Sequence, residues 1–174
     1  MVKGSVFVGT SLDGFIARPD DGLDFLEAGE GVPHGFEEFL DSVDALVMGR
    51  KTYDVVLGLG GWFYGEKPVF VLSSRAIGDP PEGATVERMS GPPAEIVSTL
   101  AKRGIEHIYV DGGATIQQFL RAGLIHRLII TRVPVLIGSG IPLFGDLKHD
   151  IPLKHIATDS FPNGLVQSEY EVAG

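Results

Sequence analysis

The sequence predicts a three-layer α/β domain with a mainly parallel sheet and an antiparallel edge, and three observations carry that expectation. Short apolar runs alternate with segments of helical periodicity through most of the 174 residues. Two of those runs pass directly into a helix through glycine, at Met48-Gly49-Arg50 and at Asp111-Gly112-Gly113. The chain ends in two strand-like runs joined by Pro162-Asn163-Gly164, and Asn-Gly is the strongest short hairpin signal.

Taken in order, Val2–Thr10 reads as the first strand, with Val6-Phe7-Val8 at its apolar centre. Asp13-Gly14 marks a turn after it, and Arg18–Gly35 is a loop rich in Gly, Asp and Pro. Leu23, Phe25 and Leu26 interrupt that loop and should tuck onto the core, so the loop can cover a site. Phe36–Ser42 reads as a helix, Ala45–Met48 as a buried strand, and Tyr53, Val56 and Leu57 as the inner face of a second helix. Pro68–Leu72 is another buried strand, Ala84–Met89 a short one, and Pro93–Gly104 a helix with Ile96, Val97 and Leu100 on one side. Ile108–Val110 is a strand, and a helix begins at Ala114 with Ile116, Phe119 and Leu120 inward. Leu124–Pro134 reads as a strand that Val135–Ile137 continues, Gly138–Pro142 as a turn, and Leu153–Phe161 and Leu165–Tyr170 as the closing pair.

The length fits one domain over residues 1–174. A net charge of −9 disfavours nucleic acid and anionic membranes as partners, because both reward basic surfaces. The chain has no cysteine, which excludes disulfides, thiolate chemistry and Cys-based zinc sites and makes a reducing cytoplasm the expected location. The N-terminus reads as a strand rather than a signal peptide, and no apolar run reaches membrane-spanning length. His34, His107, His126, His149 and His155 lack metal-ligand spacing, so no metal is expected. His107 and His126 border strands, where a hydrogen-bonded structural role is the expectation.

A strand that turns sharply into a helix through glycine brings bare N–H groups and a positive helix end to the sheet's carboxyl edge, where phosphate binds. Gly112, Gly113, Ala114 and Thr115 form one such segment, and Gly49, Arg50, Lys51 and Thr52 another. Arg50 and Lys51 oppose the helix dipole unless an anion sits beside them; the alternative is that they face solvent or pair with local acids. Ser73, Ser74 and Arg75 at the next strand exit offer hydroxyls and a guanidinium. Asp13 and Asp111 are candidates for orienting a substrate or moving a proton, although an aspartate at a turn also serves as a backbone acceptor. Trp62 and Tyr64, in a glycine-rich stretch, fit either a pocket wall or core packing.

Met48-Gly49-Arg50-Lys51-Thr52-Tyr53 resembles the Met-Gly-Arg-x-Thr-aromatic motif of the dihydrofolate reductase-like superfamily, and Val71-Leu72-Ser73-Ser74 resembles its strand ending at the cofactor's adenosine phosphate. Ser11–Ala17, Asp111-Gly112-Gly113 and Gly138–Phe144 resemble motifs of one branch, the reductase domain of bacterial riboflavin biosynthesis. The resemblance covers essentially the whole chain. It implies a dihydrofolate reductase-like fold, NADPH as cofactor, a small heterocyclic substrate of pterin or pyrimidine type, and a homodimer paired through the sheet. Arg50, Lys51, Thr52, Leu72, Ser73, Ser74 and Arg75 would then surround the adenine-side phosphates, and Gly112–Thr115 the pyrophosphate. The nicotinamide would lie over Val8 and Gly9. Two departures stand out: no acid aligns in Gly31–Phe36 with the pterin-binding acid of true dihydrofolate reductases, and Asp111 replaces the branch's glutamate. The first points away from dihydrofolate as substrate; the second shortens the acid by one methylene and so changes its reach into a substrate. A second reading is a nucleotide-binding sensor or interaction module that keeps the phosphate contacts without catalysis. Val133, Val135 and Ile137 alternate, as either a dimer face or core.

Overall fold

The computed structural model describes residues 1–29 and 34–174. Its strands are β1 (Lys3–Ser11), β2 (Phe15–Ala17), β3 (Ala45–Gly49), β4 (Val69–Leu72), β5 (Val86–Met89), β6 (His107–Asp111), β7 (Ile125–Val133), β8 (Ile141–Pro142), β9 (Leu153–Ser160) and β10 (Val166–Val172). The helices are α1 (Phe36–Ser42), α2 (Arg50–Gly58), α3 (Pro93–Lys102) and α4 (Gly113–Arg121), with a 3-10 helix at Asp24–Gly29. Eight strands form one sheet in the order β5-β4-β3-β6-β1-β7-β10-β9. The pairs from β5 to β7 are parallel, and β10 runs antiparallel to both β7 and β9.

Alternation along the central strands sorts the core into two layers, because successive side chains leave opposite faces of a sheet. Val6, Val47 and Val110 pack with Ile96 and Leu100 of α3 and Ile116 and Phe119 of α4. Phe7, Leu46, Met48 and Tyr109 pack on the other face with Phe39 of α1 and Tyr53 and Val56 of α2. Ile116 and Phe119 are wholly buried, each worth about 2–3 kcal/mol by area removed from water. The three-layer arrangement expected from the sequence is therefore present. The carboxyl ends of β3, β6 and β1 lie side by side in the sheet, and β3 and β6 lead into α2 and α4.

Two expectations change. Val135–Ile137 does not continue β7, which stops at Val133. Pro134 has no N–H for the ladder, and the Val135 N–H folds back onto the Val133 carbonyl at 2.8 Å. Val133 is buried within the chain, and Val135 and Ile137 are half-buried. The Asp13-Gly14 turn forms, with the Gly14 N–H on the Ser11 carbonyl at 3.0 Å, but Ile141-Pro142, read as the end of a turn, instead pairs with Phe15–Ala17 as the small sheet β2–β8. A Cβ at Gly140 would strike the Ala17 carbonyl oxygen, so the bare glycine permits that approach. The closing hairpin turns through Pro162–Gly164, with Gly164 at φ 89° and its N–H on the Phe161 carbonyl at 3.0 Å. Residues 30–33, part of the loop read as a site cover and part of the stretch lacking the pterin-binding acid, lie outside the described residues.

Two histidines fasten the opposite, amino-terminal edge. The Gly4 N–H donates to His126 Nδ1 at 3.2 Å, so that nitrogen must be unprotonated. His107 bridges Ser5 Oγ at 2.7 Å and the Ser42 carbonyl at 3.1 Å. Burial pushes both imidazoles below their ordinary value of 6.5, with the Lys3 charge adding to the effect. A depressed folded-state pKa contributes stability that is present above the unfolded value and lost as pH falls. His126→Gln retains an acceptor for Gly4 without the titration. On lowering pH from about 7.5 to 5.5, bracketing the free histidine value, the native urea midpoint should fall further than that of His126→Gln. Parallel falls in the two proteins would remove His126 as the source.

Candidate active site

β3 and β6 are parallel neighbours with Met48 opposite Asp111, so the two glycine junctions lie side by side. They are keyed into each other. A Cβ on Gly49 would sit 2.9 Å from Thr115 Oγ1, and a Cβ on Gly112 would collide with Thr52 Oγ1. Gly112 also has φ 97° and ψ 134°, a conformation that side chains other than hydrogen rarely allow. Each helix that leaves these junctions begins without a side-chain cap and without an acid in its first turn. Two sets of orphan N–H groups and two positive helix ends thus converge at one sheet edge, with no carboxylate of their own first turns to neutralise them.

A cavity of about 430 Å³ opens onto this edge. Gly49, Lys51 and Thr52 line it from the first junction, and Gly112, Gly113, Ala114 and Thr115 from the second. Val8 and Gly9 form part of its floor, and Asp111 and Tyr64 also reach it. The other sequence candidates lie outside the lining. Arg50 faces Asp54 one turn along α2, at 3.8 Å. Leu72, Ser73, Ser74 and Arg75 occupy the exit of β4, next to β3 in the sheet; Ser73 Oγ donates to the Arg75 carbonyl at 2.7 Å, and the Ser74 and Arg75 side chains are exposed. Trp62 supports the wall from behind, its ring edge-on to Tyr64 at 5.0 Å and its Nε1 donating to the Gly65 carbonyl at 3.1 Å. Asp13 fastens a turn, accepting the N–H groups of Ile137 at 3.3 Å and Gly138 at 2.8 Å. The Ser11 hydroxyl and these N–H groups hold its carboxyl below the ordinary value.

Asp111 is the titratable group of greatest interest. It lies deep in the fold, is partly exposed through the cavity, and burial pushes its carboxyl up to about 6 although its Oδ1 accepts the Gly112 N–H at 2.9 Å. A carboxyl titrating there can give or take a proton near neutrality. Burial, and then the Asp111 charge, raise the Tyr64 and Tyr109 hydroxyls, which therefore stay protonated. Tyr109 donates to the Phe7 carbonyl at 3.0 Å.

Phe63, which the glycine-rich stretch offered as a pocket aromatic beside Trp62 and Tyr64, lines the cavity; the sequence did not single out Phe7, Tyr109, Leu59 or Asp21, yet all four line it. Phe7 and Tyr109 read as strand interior, and strand order alone brings them together. Asp21 carried one local sign: it is a loop aspartate and takes φ 69°, which Asp tolerates better than most residues. Leu23 and Leu26, expected on the core, close the cavity from the side opposite α2.

The model of the RibD C-terminal domain family matches residues 66–167. The uncharacterized protein YwjB of Bacillus subtilis (strain 168) is 32% identical over 162 residues, covering 91% of this chain and 92% of its own. A crystal structure of a Shewanella sp. PV-4 protein, assigned provisionally to riboflavin biosynthesis, is 38% identical, covers 99% of both chains and superposes with a TM-score of 0.91. Dihydrofolate reductase from Enterococcus faecalis, solved with NADP(H), shares the fold at 16% identity, a TM-score of 0.65, 99% of this chain and 97% of its own. A glycine-keyed sheet edge, a dihydrofolate reductase-like sheet and these matches converge: the chain belongs to the RibD C-terminal domain family.

Proposed function

We propose that the protein is an NADPH-dependent reductase of a small pterin- or pyrimidine-like heterocycle. The observation that carries this is the pair of uncapped helix ends, locked together by Gly49, Thr52, Gly112 and Thr115, beside a carboxyl that titrates near 6. The donor set suits a dinucleotide: orphan N–H groups and Lys51 for the diphosphate, and the Ser73, Ser74 and Arg75 exit for a further phosphate. When bound, NADPH supplies a hydride. The chain's own part is to hold the acceptor ring against the nicotinamide over Val8 and Gly9, exclude water with Leu23 and Leu26, and deliver the matching proton from Asp111, which solvent then restores. Family membership and the NADP(H)-bound reductase of the same fold support this reading. A cytoplasmic homodimer belongs to it as well; a single-chain mass by sedimentation would remove the dimer.

The test is titration of the purified protein with NADPH and NADH, read by Trp62 fluorescence and by calorimetric heat. NADPH should bind at least about tenfold more tightly, the effect of about 1.4 kcal/mol from one charge-assisted phosphate contact. Arg75→Ala should narrow that gap by weakening NADPH alone. Failure of the folded protein to bind either nucleotide would overturn the proposal.

A further inference from the structure

We infer that Tyr64 reads the substrate: its hydroxyl donates a hydrogen bond to a ring carbonyl of the acceptor, beside Asp111; this rests on the reductase reading above. The observation is an unspent donor. Three tyrosines are buried, Tyr53, Tyr64 and Tyr109. The Tyr53 hydroxyl donates to the Gly78 carbonyl at 3.0 Å, and the Tyr109 hydroxyl to the Phe7 carbonyl at 3.0 Å. Buried phenols ordinarily find such a partner. The Tyr64 hydroxyl has none among the described residues. Nor is it sealed off, because the fully enclosed side-chain oxygen without a partner among the described residues is Thr10 Oγ1. The unbonded Tyr64 hydroxyl therefore has open space beside it, and the cavity is the space that Tyr64 lines.

Packing holds the ring that carries this group. Trp62 stands edge-on to it at 5.0 Å and Phe63 at 6.3 Å, and the Tyr64 carbonyl accepts the Lys67 N–H at 3.1 Å. Asp111 leaves β6 on the same face as Tyr109, two residues on, and its charge acts on the hydroxyls of both Tyr64 and Tyr109. Asp111 Oδ1 accepts the Gly112 N–H, which leaves Oδ2 without a bond among the described residues. Once internal bonds are made, this wall of the cavity offers one hydroxyl donor and one carboxyl oxygen. Tyr64 stays protonated, so it gives a hydrogen bond and no proton. The matching edge on a substrate is a carbonyl oxygen for Tyr64, with the ring N–H or the atom to be protonated next to it for Asp111. A pyrimidinone ring, single or fused, has that edge. A ring without the carbonyl would leave the donor buried and unpaired, and the site would reject it.

The experiment uses the whole protein saturated with NADP⁺, so that binding is read without turnover. Lumazine, a flat pteridine with ring carbonyls and ring N–H groups, is titrated into the native protein, Tyr64→Phe and Tyr53→Phe. Calorimetry and saturation-transfer NMR read the binding. Tyr64→Phe should weaken lumazine at least about tenfold, the effect of one buried hydrogen bond. Its NADP⁺ heat should match the native one. Its urea midpoint, measured without ligands, should not fall, because the free protein loses no bond. Tyr53→Phe should do the reverse, with a lower midpoint from the abandoned Gly78 carbonyl and native affinity for lumazine. Undiminished lumazine binding by Tyr64→Phe would overturn the inference. So would a lowered midpoint in that variant, or failure of the native protein to bind lumazine. In each of those cases the NADP⁺ heat, measured first, leaves the reductase reading standing; absence of that heat takes down both.

Discussion

Asp111→Asn is expected to lower kcat by about 100-fold, the low end of what a positioned proton donor contributes, while making the folded chain more stable above neutral pH. The two effects have one origin. Burial holds the carboxyl at about 6 against an ordinary 3.8. A group whose folded pKa is raised contributes stability that is fully present below its unfolded pKa and lost as pH rises through the folded one. The window is therefore about pH 4 to 6, and above it the ionised carboxylate is a burden of roughly 2–3 kcal/mol, less what solvent entering through the cavity relieves. Asparagine keeps an acceptor for the Gly112 N–H, seen here at 2.9 Å, and has no charge to desolvate. Native turnover should fall as pH rises past 6, and the variant's residual turnover should not. Melting temperatures at pH 8 should favour the variant, and at pH 4 the two proteins should converge. Undiminished kcat in Asp111→Asn would show that the proton comes from elsewhere.

Gly112→Ala should be strongly damaging, costing about 3 kcal/mol or more from the sum of a disallowed backbone region and a steric collision. The added Cβ runs into Thr52 Oγ1, at φ 97°. The two causes separate. In Gly112→Ala/Thr52→Ala the Oγ1 is gone and the nearest remaining atom is the Thr52 Cβ at 3.4 Å. That double variant should recover the steric part in urea denaturation and keep the backbone part. Full recovery would mean that the backbone tolerates alanine there, and no recovery would mean that the collision is relieved by other means.

The fold was legible in the sequence to the extent that it depends on periodicity. The continuous apolar runs at Ala45–Met48 and Ile108–Val110, and the helical spacing of Ile96, Val97 and Leu100, each announce a local element that the tertiary packing then keeps. β2 and β8 were not legible, because three residues and two residues are too short to carry a period and pair across a long separation. Pro134 was legible and should have stopped the strand at Val133, since proline cannot donate within a ladder. The two glycine junctions were visible as strand-to-helix turns with bare N–H groups, because the requirement is local: glycine and a helix start. Their mutual keying, Thr52 against Gly112 and Thr115 against Gly49, was not, because it follows from β3 lying beside β6. The aromatic wall of Phe7 and Tyr109 was hidden for the same reason.

The keyed threonines have a further consequence, for turnover of the protein itself. Neither half of the junction pair has its shape without the other, so the proposed anion site exists only in the folded chain. Any nucleotide that fills it acts as a folding ligand. At a free concentration of about 100 times Kd it would add about 2.7 kcal/mol to global stability. The supply of that nucleotide would then govern how often the chain opens to a protease, quite apart from how fast it works.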